Sequence, residues 1–316
     1  MRTFPESLTN HQQKLGAQVI FINDNNSEKK VTLTLKQNRS IMKKILVPTD
    51  FSATARHAMA YALELSKTMD HAHIDLVHMY LPATAAEYPN IVPPIAEMME
   101  AQEKMLANFA DEVRKRSVVS TPITSHLIVG FPADEIVRLS EEYDLVVIGA
   151  TGESDVLDNM FGSVSGHVAR KSKCPVILVP KGVTFQPIEN ILFASNYESA
   201  DSEMIRSLID FNKMFGAKLH FVHVRNEDPA DDFEKTRDLI FSDLSEKGEP
   251  AFSFEIEEIE GGDVHTAIQA FAERSDIDLV VMVVKKRGFW DGLFHRSQTR
   301  QMALNTTKPL MMLHLE

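Results

Sequence analysis

The sequence contains a single cysteine, Cys174. No intrachain disulfide can form and no cysteine-cluster metal site is available, which suits a reducing compartment and sets cytoplasmic localisation as the expectation. Basic excess is missing as well. A net charge of −12 offers no broad positive footprint for nucleic acid or an anionic membrane surface. No apolar run approaches the roughly 20 residues that span a bilayer, and the opening "MRTFPESLTNHQQKLGAQ" lacks the basic start and apolar core of a signal peptide. There is no Walker loop ending in Gly-Lys-Ser/Thr, and no Gly-rich dinucleotide fingerprint follows Val47. What remains is 316 residues with 44% hydrophobic and 25% charged content, enough for two ordinary globular domains.

Residues 1–41 differ from the rest. "VIFIN" and "VTLTL", joined by "DNNSEKK", can form at most a weak hairpin. Two readings stand side by side: a disordered extension that contributes nothing to the fold, or a misassigned start, with Met42 as the initiator. From Ile41 onward, apolar strands alternate with helical patterns. "KKILVPTDFS" gives a short buried strand, Ser52 is a good N-cap for "ATARHAMAYALELSKTM", and "IDLVHMY" is a second strand. "IAEMMEAQEKMLANFADEVRKR" is a long amphipathic helix with its basic residues at the favourable C-terminal end. "ITSHLIV", the helix "PADEIVRLSEEY", "DLVVIG", the helix "SVSGHVARKSK" and "PVILVP" complete the series. Apolar strands separated by helices predict a parallel α/β sheet covered on both faces and doubly wound by right-handed crossovers.

The pattern then repeats. "ENILFASNYESADSEMIRSLIDF" follows "KKILVPTDFSATARHAMAYALEL", and "LHFVHVR" follows "IDLVHMY". The segment from Asp278 aligns without a gap on the segment from Asp144, pairing Ser163 with Ser297 and Pro175 with Pro309. So long an ungapped internal match indicates duplication. The expected domains are 42–182 and 188–316, separated by a short polar linker. Their last strands, "PVILVP" and "PLMMLHL", would each be an exposed apolar edge unless they paired.

Between the fourth strand and the next helix lies "GATGESDVLDNMFGS". In a doubly wound sheet, ligands sit beyond the carboxyl ends of the strands where the strand order reverses. Gly149 at that rim permits close approach to a ligand. Gly162 and Ser163 open a helix whose free N–H groups and dipole favour phosphate. Asp50 ends strand one at the same rim and can accept a hydrogen bond from a ribose or base, or else cap the following turn.

These residues make the chain resemble a tandem universal stress protein. The family's ATP signature is glycine, two residues, glycine, nine residues, glycine and then serine or threonine; Gly149, Gly152, Gly162 and Ser163 fill all four positions. "ILVPTDFS" is similar to the family's first strand, so Pro48, Thr49 and Asp50 are implied nucleotide contacts. Met79, after His78, is implied to meet adenine through its backbone, and Ile148, Val164 and Ser165 complete the pocket. The resemblance implies two five-stranded sheets of order 3-2-1-4-5 packed as an intrachain pseudo-dimer through their fifth strands. It also implies ATP as ligand, with or without Mg²⁺, and association into homodimers.

Other motifs lead elsewhere. "GSVSG" is no nucleophile elbow, because Val164 stands where the serine must be. His71 and His73 lie at a turn without a nearby third ligand, His78 and His223 occupy equivalent strand positions that suit structural roles, and Cys174 reads as a buried inert thiol. In the second repeat Gly149 becomes Val283, Gly152 becomes Lys286, Gly162 becomes Arg296 and Asp50 becomes Asn196, leaving Ser297 alone. One nucleotide per chain is therefore expected. Lys285, Lys286, Arg287, His295 and Arg296 form a basic loop that is either simply solvated or a site for another anion or a partner's carboxylates. Three functions remain: an ATP-binding regulatory protein of the stress response, an ATPase or nucleotidyl-transfer enzyme, or a non-binding interaction scaffold. Asp50, Glu153, Asp155 and Asp158 are carboxylates near the loop, but it holds no lysine for a γ-phosphate, so slow hydrolysis at most is expected.

Overall fold

The computed structural model describes residues 20–21, 31–32, 43–82, 94–116, 121–150, 163–195, 202–225, 237–238, 240–242, 244, 252–260, 264–284 and 307–314. It divides into two compact units, Met1–Ile41 and Met42–Glu316. In the first, β1 (Ile20–Phe21) and β2 (Val31–Thr32) pair antiparallel, with Ile20 opposite Thr32. This is the hairpin that "VIFIN" and "VTLTL" suggest, in very short form.

The second unit begins with β3 (Lys44–Pro48), α1 (Ala53–Thr68), β4 (His73–Tyr80), α2 (Ile95–Arg116), β5 (Ile123–Val129), α3 (Pro132–Leu139), β6 (Leu145–Gly149), α4 (Ser163–Lys171) and β7 (Val176–Val179). The five strands return as β8 (Asn190–Ser195), β9 (Lys218–Arg225), β10 (Phe254–Glu260), β11 (Leu279–Val284) and β12 (Leu310–His314), with α5 (Ser202–Asn212) after β8 and α6 (Val264–Arg274) after β10. The strands form one ten-stranded sheet in the order β10-β9-β8-β11-β12-β7-β6-β3-β4-β5. Each half reads 3-2-1-4-5. All neighbours are parallel except β12 and β7, which pair antiparallel with Met311 opposite Ile177. The two predicted sheets thus continue into each other through their fifth strands.

Alternation along the buried strands sends side chains to opposite faces. From β3, Ile45 and Val47 pack with Ala58, Met59, Ala62 and Leu65 of α1 and with Leu106 and Phe109 of α2. Leu46 faces the other way and joins Val146 and Ile148 of β6, Ile136 of α3 and Val168 of α4. Both faces are therefore covered, the condition for apolar parallel strands. The linker is not merely polar spacer: Phe185 lies edge-on to Tyr61 of α1 at 5.2 Å, and Val183 packs on the same core. Among the described residues no helix is long and apolar enough to cross a membrane.

Candidate functional site

The rim of the site is the turn that leaves β3. Thr49 N–H continues the ladder to Val77 O at 2.8 Å, and His78 Nδ1 donates to Thr49 O at 2.7 Å. Two side-chain turns follow. Phe51 N–H donates to Thr49 Oγ1 and Ser52 N–H to Asp50 Oδ1, both at 3.0 Å. Such local bonds let the chain reverse within a few residues. Phe51 takes φ 65°, a left-handed conformation that a bulky side chain adopts at a cost. Its ring is held against His78 at 4.4 Å and edge-on to Phe109 at 6.1 Å. Ser52 Oγ then accepts from Ala55 N–H at 3.1 Å, capping α1 as its sequence position predicts.

A cleft of about 280 Å³ opens beside this turn. It lies where β3 separates β4 from β6, the point at which the strand order reverses. Pro48, Thr49 and Asp50 line it from the end of β3, Met79 from β4, Ile148 and Gly149 from the end of β6, and Val164 and Ser165 from the first turn of α4. Every sequence-nominated site residue whose side chain is described is on that wall. Gly152 and Gly162 lie outside the described residues, as do Glu153, Asp155 and Asp158; Ser163 opens α4.

Gly149 has a reason that sequence reasoning did not supply. A Cβ there would come within 2.6 Å of Thr54 Cγ2 and 2.9 Å of Thr54 O, so the missing side chain lets the first turn of α1 sit against the end of β6. The expectation that glycine clears room for a ligand must be joined to this packing role. Asp50 is likewise partly committed, since one carboxylate oxygen holds the turn.

Ser52, Thr54, Ala55, Pro132 and Ile136 also line the cleft and were not nominated. In the sequence Ser52 stands out only as a cap. Pro132 and Ile136 fall four apart on α3, one helical face, which is the signal that could have found them. Among the described lining residues the only ionisable side chain is Asp50.

The remaining candidates resolve individually. His73 Nε2 lies 3.1 Å from Asp75 Oδ1 and 3.0 Å from Thr124 Oγ1, so it belongs to a polar cluster within the sheet. Cys174 is buried, and burial pushes its thiol up to about 12. In the second repeat Val283 lies in β11 opposite Leu313. Asn196, Lys285, Lys286, Arg287, His295, Arg296 and Ser297 lie outside the described residues.

The universal stress protein family model matches residues 42–180 and again 187–314. A universal stress protein of Methanocaldococcus jannaschii is 27% identical over 154 residues, spanning 46% of this chain and 87% of that protein. One from Mycobacterium tuberculosis is 30% identical over 142 residues, spanning 44% of this chain and 46% of that one. Among solved structures, a universal stress protein from Archaeoglobus fulgidus superposes with a TM-score of 0.65 at 22% identity, covering 86% of this chain and 96% of that one; the likeness is one of fold.

Proposed function

The chain belongs to the universal stress protein family, with two of its domains in tandem, and on that premise we propose that its first domain binds ATP as the regulatory ligand of a stress-response protein. Some members of the family bind ATP. The observation that carries the reading is the chemistry of the cleft. Met79, Ile136, Ile148 and Val164 offer apolar surface to a base, while Thr49, Asp50, Ser52 and Ser165 offer polar atoms to a ribose. The first turn of α4 adds the positive end of the helix dipole, the sign that attracts phosphate. These residues fit an adenine nucleotide.

Regulation is favoured over turnover by the lack of a basic side chain among the described lining residues. Phosphoryl transfer needs positive charge at the transferring group, from metal ions and from Lys or Arg. Steady-state phosphate release separates the two readings. One nucleotide per chain is proposed, since the second domain has Val283, Lys286 and Arg296 at the signature glycines.

Mass spectrometry of ligand released from purified protein, with calorimetry of the stripped chain, tests the assignment. Val164→Phe should fill the cleft from a partly buried wall position and abolish ATP binding at unchanged melting temperature. Tight ATP binding by that variant would overturn the site. Two equivalent ATP sites per chain would overturn the stoichiometry.

A further inference from the structure

At the outer edge of the second half's sheet, three ligand atoms converge. One His220 ring nitrogen and one carboxylate oxygen from each of Glu255 and Glu257 lie within 4.8 Å of one another. The topology assembles them. β9 and β10 run parallel with His220 opposite Glu255, and Glu257, two residues on, shares Glu255's face of the strand. β10 is the outermost strand on its side of the sheet. His220 is 4% exposed, whereas the Glu255 side chain is 48% exposed. A buried imidazole therefore backs a pair of carboxylates that face solvent.

Hydrogen bonding fixes the tautomer of His220. Its Nε2 lies 3.3 Å from Asn190 Oδ1, and the Asn190 amide nitrogen donates to Asp276 O at 3.5 Å, which turns the amide oxygen towards the ring. Nε2 thus carries the proton and Nδ1 presents a lone pair. That atom is buried without a hydrogen-bond partner and faces Glu255 Oε2 at 3.5 Å. Two acceptors facing each other repel, and a proton or a metal ion between them relieves that repulsion. A ring nitrogen anchored from behind, its other lone pair aimed at carboxylates, is how metal-binding histidines are held.

The first domain closes the same position differently. Asp75 stands where His220 stands, and it accepts from Thr124 and, at 2.9 Å, from the Tyr143 hydroxyl, with His73 Nε2 at 3.1 Å. Its needs are met from within. In the second domain Tyr143 becomes Ile277, which donates nothing, and Thr124 becomes Glu255, which adds an acceptor.

We propose that His220, Glu255 and Glu257 form a binding site for a divalent transition-metal ion, with Zn²⁺ preferred over Mg²⁺. An imidazole with two carboxylates matches the nitrogen and oxygen donors that zinc accepts, while magnesium favours all-oxygen coordination. Three protein ligands leave a fourth position for water on the exposed side. Lys218 does not block the site: its ammonium bonds Glu255 Oε1, leaving Oε2 for the metal. Asn190 is the positioning residue.

The test is calorimetric titration of the full-length, chelator-stripped, nucleotide-free protein with ZnCl₂. One Zn²⁺ per chain is expected, with affinity lowered about tenfold or more in Glu257→Gln and in Asn190→Ala, and the event lost in His220→Gln. Glu255→Gln, at an exposed position, serves as a second ligand variant, and circular dichroism confirms folding of each. Absence of Zn²⁺ binding by the parent overturns the site. So does zinc affinity unchanged in Glu257→Gln and Glu255→Gln, because zinc would then lie on other histidines. Equal affinity for MgCl₂ overturns the assigned class of ion.

Discussion

At the scale of single residues, the cleft shows how one atom's absence serves two ends. Gly149 closes β6 at the cleft wall, yet the group its Cβ would strike is Thr54, including the backbone carbonyl at 2.9 Å. A flexible side chain can move aside; helix backbone held by its own hydrogen bonds cannot do so cheaply. Gly149→Ala is therefore expected to destabilise the fold by about 1–3 kcal/mol through overpacking, measured by chemical denaturation, before any ligand is considered. Thr54→Ser removes the nearest methyl group, at 2.6 Å, while leaving the carbonyl in place. It should recover part of the loss in the double variant. Unchanged stability of Gly149→Ala would show that the helix moves freely. The spacing of glycines revealed that backbone had to approach something here. It could not reveal Thr54, because the angle at which α1 crosses β6 is a tertiary fact.

At the scale of elements, the two domains share a fastening that the ungapped repeat makes visible. Asp144 Oδ2 accepts from Lys43 and Lys44 N–H at 2.8 and 3.0 Å, and Asp278 Oδ2 accepts from Glu189 and Asn190 N–H, both at 2.9 Å. Each aspartate also donates its own N–H to the neighbouring strand, Asp144 to Lys44 O and Asp278 to Asn190 O. The carboxylate thus sets the register between the first and fourth strands of its domain. Asp144→Ala should cost about 1–2 kcal/mol, below a fully buried charged bond because the group is exposed, with Asp144→Asn milder. Asp278→Ala should cost a similar amount, and the double variant their sum; denaturation curves of the three decide it, and a negligible loss in both singles would sink the fastening. Other elements were unequally legible. Helical spacing gave α2 its observed bounds, and Ser52 announced α1. β10 is not legible as a strand: its alternation of Phe254 and Ile256 with glutamates reads as a charged surface until β9 supplies a partner. Of the cleft, the strand-end residues were legible because they sit in recognisable motifs. The α3 contribution was not, since Pro132 and Ile136 become neighbours of the cleft only when the crossover packs down.

At the scale of the whole molecule, the central fact is the antiparallel joint between β7 and β12, which turns two half-sheets into one. Pairing these apolar edges removes the exposed rims that would otherwise recruit other chains. His314, at the end of β12, reaches across the joint and donates from Nε2 to Ala169 O of α4 at 3.0 Å, while its Nδ1 is buried without a partner. Burial, reinforced by the charge of Lys173 and opposed by the carbonyl contacts, lowers its pKa from 6.5 to about 4. The unfolded chain thus takes up a proton between these values that the folded chain refuses. Stability is full above pH 6.5 and falls as the pH drops towards 4, below which this residue contributes no further change. The shift corresponds to about 3 kcal/mol between those limits. Carboxylates titrate in part of the same range, so the reading is a difference between two proteins. His314→Gln keeps a donor for Ala169 O and has no charge to gain. The parent should lose about 3 kcal/mol more than this variant between pH 7 and pH 4, by urea denaturation at each pH. Parallel profiles would mean that His314 is protonated at the joint without penalty, and that the domains meet there more loosely than the shared sheet implies.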